Sequence, residues 1–206
     1  MKLEVEEYQL SDDGVIPNSN LPVLVYRQVC TQENKSDWFE STFIKNGWTN
    51  NWRDTILSYD HFHSTTHEVL GVGQGEVRLR LGGRAGVTLS VSAGDVIVLP
   101  AGVGHCSLPG QSGYEIIGGY PDGRSWDLLT GTEEERRTAL SRIKAVPVPV
   151  TDPIDGVQGT LRKYWVSFCH LFVSPHLGEF NIGKTHHAAP SERISSATML
   201  RLLFNW

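Results

Sequence analysis

His61-Phe62-His63-Ser64-Thr65-Thr66-His67-Glu68 places two histidines two residues apart and a carboxylate five residues after the second. On a strand, side chains alternate between faces, so His61 and His63 point to the same side. Two imidazoles on one face, with a carboxylate returning after a short turn, supply three ligands for one divalent metal. A fourth candidate follows at His105, at the end of Pro100-Ala101-Gly102-Val103-Gly104-His105.

The chain around these segments reads as β structure. Glu76-Val77-Arg78-Leu79-Arg80-Leu81 alternates polar and apolar residues, and so does Val87-Thr88-Leu89-Ser90-Val91. The glycine-rich turn Gly82–Gly86 between them predicts a hairpin. Asp95–Pro100 is a further strand, apolar on both faces at its centre, and Tyr114–Tyr120 is another. Many short strands separated by glycine turns predict a sandwich or barrel.

Residues 1 to about 35 read as an irregular arm with one strand, Pro22–Tyr26. A short helix begins at Ser36 or Asp37 and ends at Gly47, with Trp38, Phe39, Phe43 and Ile44 on its buried face. A second helix starts after Thr132, which caps it, with Glu135 completing a capping box and Glu133 facing Arg137. Pro147, Pro149 and Pro153 then enforce an extended segment.

Bulk properties narrow the function classes. The 206 residues fit one domain with extensions. With a net charge of −5 and no basic tract, a nucleic-acid binder is excluded. The three cysteines, Cys30, Cys106 and Cys169, are far apart and form no metal-binding or redox pair. No apolar run is long enough to span a membrane, and the acidic N-terminus lacks the apolar stretch of a signal peptide. A soluble cytoplasmic protein is the expectation.

The two metal-ligand segments resemble the two signature motifs of the cupin superfamily. The first, G-x5-H-x-H-x(3,4)-E-x6-G, is met at His61, His63, Glu68 and Gly75, with Thr55 in place of the opening glycine. The second, G-x5-P-x-G-x2-H-x3-N, is met at Gly94, Pro100, Gly102 and His105, with Pro109 in place of the closing asparagine. Further pieces, Asn46–Arg53, Tyr120-Pro121-Asp122-Gly123 with Trp126-Asp127, and Val146–Pro149 with Asp152-Pro153, look like the YjlB-like small cupins.

The resemblance implies an all-β (β-rich) single-domain jelly-roll β-barrel with a short N-terminal helix, a helix after the barrel and a C-terminal extension. Residues 1–54 are then an arm and helix packing on the barrel, 55–121 the barrel core, 122–165 a helix and extended segment of the same domain, and 166–206 an appended, poorly ordered tail. It also implies His61, His63, Glu68 and His105 as ligands of one divalent transition metal: Mn, Fe, Ni, Cu or Zn. The expected function is a metal-dependent enzyme acting on a small organic molecule, of oxygenase, isomerase or decarboxylase type. The alternative is a metal-assisted small-molecule or sugar binding protein without turnover. No catalytic residue beyond the ligands is assigned. Cupins often pair through their barrels, so a homodimer is the implied assembly.

Other residues read more plainly. His67, adjacent to Glu68, faces the other way on a strand and lies behind the ligands or on the surface. Cys106 packs in the barrel wall. Glu115 and Asp127 read as solvated carboxylates before acid/base groups. Tyr59, Tyr120 and Trp126 read as aromatic packing before pocket lining. His170, His186 and His187 in the tail read as solvated.

Overall fold

A computed structural model of the chain describes residues 3–165. The expectations for the 166–206 tail and its histidines lie outside the described residues. Nine strands and two principal helices follow in the order β1 (Glu4–Tyr8), β2 (Val23–Arg27), α1 (Lys35–Lys45), β3 (Trp48–Asp54), β4 (Glu68–Gln74), β5 (Glu76–Leu81), β6 (Val87–Ser92), β7 (Val96–Leu99), β8 (His105–Ser107), β9 (Glu115–Pro121) and α2 (Glu133–Ala145). They form a six-stranded sheet, β1-β2-β7-β4-β9-β3, facing a three-stranded sheet, β6-β5-β8. Every described ladder is antiparallel. This is the two-sheet jelly roll expected of a cupin.

The two hydropathy patterns follow from what covers each sheet. Val77, Leu79 and Leu81 of β5 and Leu89 and Val91 of β6 point inward and meet Val25, Leu70, Val72, Ile97, Leu99 and Ile116 of the larger sheet. The alternate residues of β5 and β6 face water, which gives the polar–apolar alternation. The central strands of the larger sheet, β2, β7, β4 and β9, are buried on both faces. Its outer side carries Leu24, Tyr26, Val69, Val96, Val98 and Ile117, packed against Phe39 and Phe43 of α1, Trp48, Leu161 and Trp165. That double cover explains why β7 is an unbroken Val-Ile-Val-Leu run, with all four residues buried.

The hairpin forms as expected, pairing Glu76–Leu81 with Val87–Ser92. The Thr132/Glu135 capping box also forms. Helix α1 starts earlier than its sequence signal, at Lys35, because Asn34 caps the Asp37 amide. Its buried face is Phe39 and Phe43, whereas Ile44 is 52% exposed. The arm holds more order than expected: residues 1–54 contribute β1, β2 and β3 to the larger sheet, and β2 lies inside it between β1 and β7. Among the described residues no helix is long and apolar enough to cross a membrane.

Candidate metal centre

His61 and His105 sit directly opposite one another on an antiparallel bridge. The His105 amide donates to the His61 carbonyl at 2.9 Å, and the His61 amide donates back at 3.3 Å. Opposed residues on such a pair share a face, and the two rings lie 4.1 Å apart. His63, two residues on, joins that face, while Phe62 turns the other way into a small cluster with Ile16 and Ala139. The loop delivering His105 depends on Gly102, whose φ is +91° and whose amide donates to the His63 carbonyl at 2.8 Å. A side chain there would strike the Asn18 carbonyl oxygen at 2.5 Å.

The three imidazoles are buried and bring their ligand nitrogens within 4.8 Å of one another. Each ring is anchored through Nδ1 to a main-chain carbonyl: His61 to Tyr59 and His105 to Val103, both at 3.1 Å, and His63 to Asp127. A carbonyl only accepts, so Nδ1 carries the hydrogen and Nε2 presents a lone pair to the site.

Glu68, the first residue of β4, completes the group. Its Oε1 accepts from the Tyr120 hydroxyl at 2.8 Å, and that hydroxyl accepts from Trp52 Nε1–H at 2.9 Å. Its Oε2 lies 3.3 Å from Nε2 of both His63 and His105 yet is hydrogen-bonded to neither. A buried carboxylate oxygen without a donor is costly. Here it faces imidazole lone pairs, and a cation placed among them satisfies the whole set.

In the metal-free protein a proton on His63 takes the part of that cation. Burial alone would raise the Glu68 carboxyl, but the charge on His63 holds it well below the usual carboxylate range. Burial would lower His63, and the Glu68 carboxylate outweighs it, so His63 titrates above an ordinary histidine. His61 is pushed down to about 3 by burial and by His105, and stays neutral.

No protein-family model matches the chain. The uncharacterized protein YjlB of Bacillus subtilis (strain 168) is 36% identical over 167 residues, which cover 81% of this chain and 99% of that one. The chain belongs to the YjlB family. Among solved structures, this YjlB-family chain is similar to the sugar 3,4-ketoisomerase QdtA of Thermoanaerobacterium thermosaccharolyticum in complex with TDP, at 15% identity over 46% of this chain and 75% of QdtA, with a TM-score of 0.36. It is also similar to the acireductone dioxygenase of Bacillus anthracis with a cadmium ion in its active centre, at 15% identity over 59% of this chain and 80% of that one, with a TM-score of 0.34.

In this YjlB-family chain, His61, His63, Glu68 and His105 line one end of a cavity of about 420 Å³. Tyr120 and Trp126, read from sequence as packing, line it too: Trp126 stacks on Tyr120 with centroids 6.2 Å apart and meets the His63 ring at 5.4 Å. Tyr59 is half exposed and packs on His61.

His67 is neither a member of the cluster nor a surface residue. It is buried, its Nδ1 accepts from the Ala101 amide at 2.9 Å, its Nε2 meets the Pro147 carbonyl at 3.2 Å, and its ring packs on Trp165. Burial pushes it down to about 3, so it stays neutral. Cys106 packs in the wall as expected, with Sγ 3.2 Å from Asp60, and burial pushes the thiol up to about 11. Glu115 is not among the cavity-lining residues.

Asp127, read as a solvated carboxylate, instead fixes the site from outside. Its carboxylate accepts from the Ser64 amide at 2.6 Å and the Ser64 hydroxyl at 2.5 Å, while its carbonyl holds the His63 ring. With the Phe62–Leu129 bridge, it straps residues 125–129 across the histidine segment. The Trp126-Asp127 pair stood among the pieces that resemble YjlB-like cupins, but spacing alone gave it no role.

Proposed function

We propose that this YjlB-family cupin holds one divalent transition metal on His61, His63, Glu68 and His105 and is a metal-dependent enzyme acting on a small organic molecule. One observation carries the reading. Three Nε2 lone pairs and an undonated carboxylate oxygen converge in one cavity, with every Nδ1 tied back to the main chain. Three nitrogens and one oxygen suit Mn, Fe, Ni, Cu or Zn. A metal held there would supply Lewis-acid chemistry, and redox chemistry if it were iron or copper. The protein's own part is to fix the ligands, to orient Glu68 through Tyr120, and to keep water from the inner wall with Leu70 and Trp52.

A metal-assisted binding protein without turnover is the second reading. It is favoured by the engagement of the Tyr120 hydroxyl with Glu68, which leaves Asp54 as the one acid/base carboxylate beside the candidate ligands among the described lining residues. Thermal denaturation of chelator-stripped protein with each of the five metals tests the site. At least one metal stabilises the protein and fails to stabilise a Glu68→Gln/His105→Ala variant. Equal response of both proteins to every metal refutes the site. Chelator-sensitive consumption of a small molecule from a metabolite mixture then separates enzyme from binder.

A further inference from the structure

Beyond the ligands, the cavity has an uneven chemistry. Its apolar lining is Trp52, Ile56, Leu57, Leu70, Trp126 and Leu128, beside the polar segment Asn50-Asn51 and Arg53–Thr55. Three of these lining residues keep large exposed surfaces: Trp126 at 46%, Leu128 at 41% and Leu57 at 39%. Exposed apolar side chains that line one cavity mark a ligand-binding surface, whereas scattered ones do not. Trp126 is a fixed wall, held on one side by Tyr120 and His63 and in the chain by the Asp127–Ser64 hydrogen bonds.

Among the described lining residues no positive charge is left unpaired. Arg53 is the only cationic side chain among the described lining residues. Its guanidinium is taken up by Asp37, at 2.7 Å, and Glu40, both on α1. Nearby Arg142 lies 3.6 Å from the Asp127 carboxylate. Among the described lining residues a phosphate or other multiply charged anion would find no unpaired arginine or lysine, and would meet Glu68 and Asp54.

We infer that the site takes a largely apolar small molecule without a phosphate or other multiply charged group, which presents one or two oxygens to the metal and lays its apolar body along Trp126, Leu128 and Leu57. The inference rests on the metal reading above and adds the class of ligand to it. It sets this chain apart from a nucleotide or nucleotide-sugar site, which needs cationic or main-chain phosphate contacts.

Two hydroxamic acids test it. Acetohydroxamic and benzohydroxamic acid offer a metal the same two oxygens and differ in a methyl against a phenyl group. Each is titrated into cobalt(II)-loaded protein, with affinity read from the visible cobalt spectrum. Benzohydroxamic acid binds at least about tenfold more tightly than acetohydroxamic acid. That preference falls severalfold in Trp126→Ala and in Leu128→Ser, each compared with the parent at full cobalt loading. Thymidine diphosphate binds more weakly than benzohydroxamic acid. Equal affinity for the two hydroxamates, a preference unchanged in both variants, or tighter binding of thymidine diphosphate overturns the ligand class. Cobalt content measured on the same samples separates the two readings. Full cobalt without a phenyl preference defeats the ligand class alone, and absence of cobalt defeats the metal assignment together with it.

Discussion

Replacing Tyr120 by phenylalanine removes one oxygen atom and tests whether the Trp52–Tyr120–Glu68 chain orients the carboxylate. The hydroxyl donates to Glu68 Oε1 at 2.8 Å and accepts from Trp52 Nε1 at 2.9 Å. Without it, Oε1 joins Oε2 as a buried oxygen with no donor, and the carboxylate is free to rotate. An orphaned buried acceptor costs ~1–3 kcal/mol, more when charged. Loss of an outer partner of a metal-ligating group weakens metal binding about 10- to 100-fold, or ~1.4–2.7 kcal/mol. Tyr120→Phe is therefore expected to lower zinc affinity by that factor, measured by competition with a chromogenic chelator. The metal-free form loses ~1–3 kcal/mol in urea unfolding. Trp52→Phe keeps the Tyr120–Glu68 bond and has the smaller effect on affinity. A Tyr120→Phe affinity within about twofold of the parent would refute the orienting role, because the outer-partner effect is at least tenfold.

The remaining predictions concern pH, the strap, the wall cysteine and the core. His63 is raised by Glu68, so in metal-free protein it contributes stability that is complete below the unfolded histidine value of about 6.5 and is lost as pH rises through the higher folded value. Metal binding needs His63 unprotonated at Nε2, so thermal melts in metal-free and zinc-loaded protein should show zinc stabilisation growing from pH 6 to pH 8; a gain that shrinks over that range contradicts the assignment. Asp127→Ala removes two acceptors from Ser64 and should cost ~1–3 kcal/mol and weaken metal binding, whereas a change in stability with zinc affinity untouched would show the strap to be merely structural. Cys106→Ala should leave the metal content unchanged, since its thiol faces Asp60; a fall in bound metal would make it a ligand. Phe39→Ala opens the outer face of the larger sheet and should destabilise by ~3–5 kcal/mol, read from denaturant midpoints, without altering metal stoichiometry.

The parts of the molecule legible in sequence are those fixed by local spacing. His61 and His63 share a face because alternation puts them there, and the Gly94–His105 spacing returns His105 opposite His61. The β5–β6 hairpin and the buried β7 declare themselves by period and by an unbroken apolar run. Strand β1 was hidden because an edge strand with the sequence Glu-Val-Glu-Glu-Tyr carries no apolar face. Strand β3 was hidden because its register shifts between Thr49 and Trp52, where Asn50 has a φ of +56° and breaks the alternation. Strand β8, three residues long, shows no period at all. The partners that orient the candidate ligands come from distant segments: Tyr120 lies 52 residues from Glu68 and Asp127 lies 63 from Ser64, and no local pattern joins such pairs. His67 was ambiguous because adjacency to Glu68 says which way it points but not what covers it; Trp165, nearly 100 residues further on, provides the cover.

Elemental analysis of protein purified without added chelator, beside a His61→Ala/His63→Ala variant, addresses the metal centre most directly. The parent should carry close to one transition-metal ion per chain and the variant almost none, with both folded by circular dichroism. Equal, substoichiometric metal in the two proteins would contradict the site.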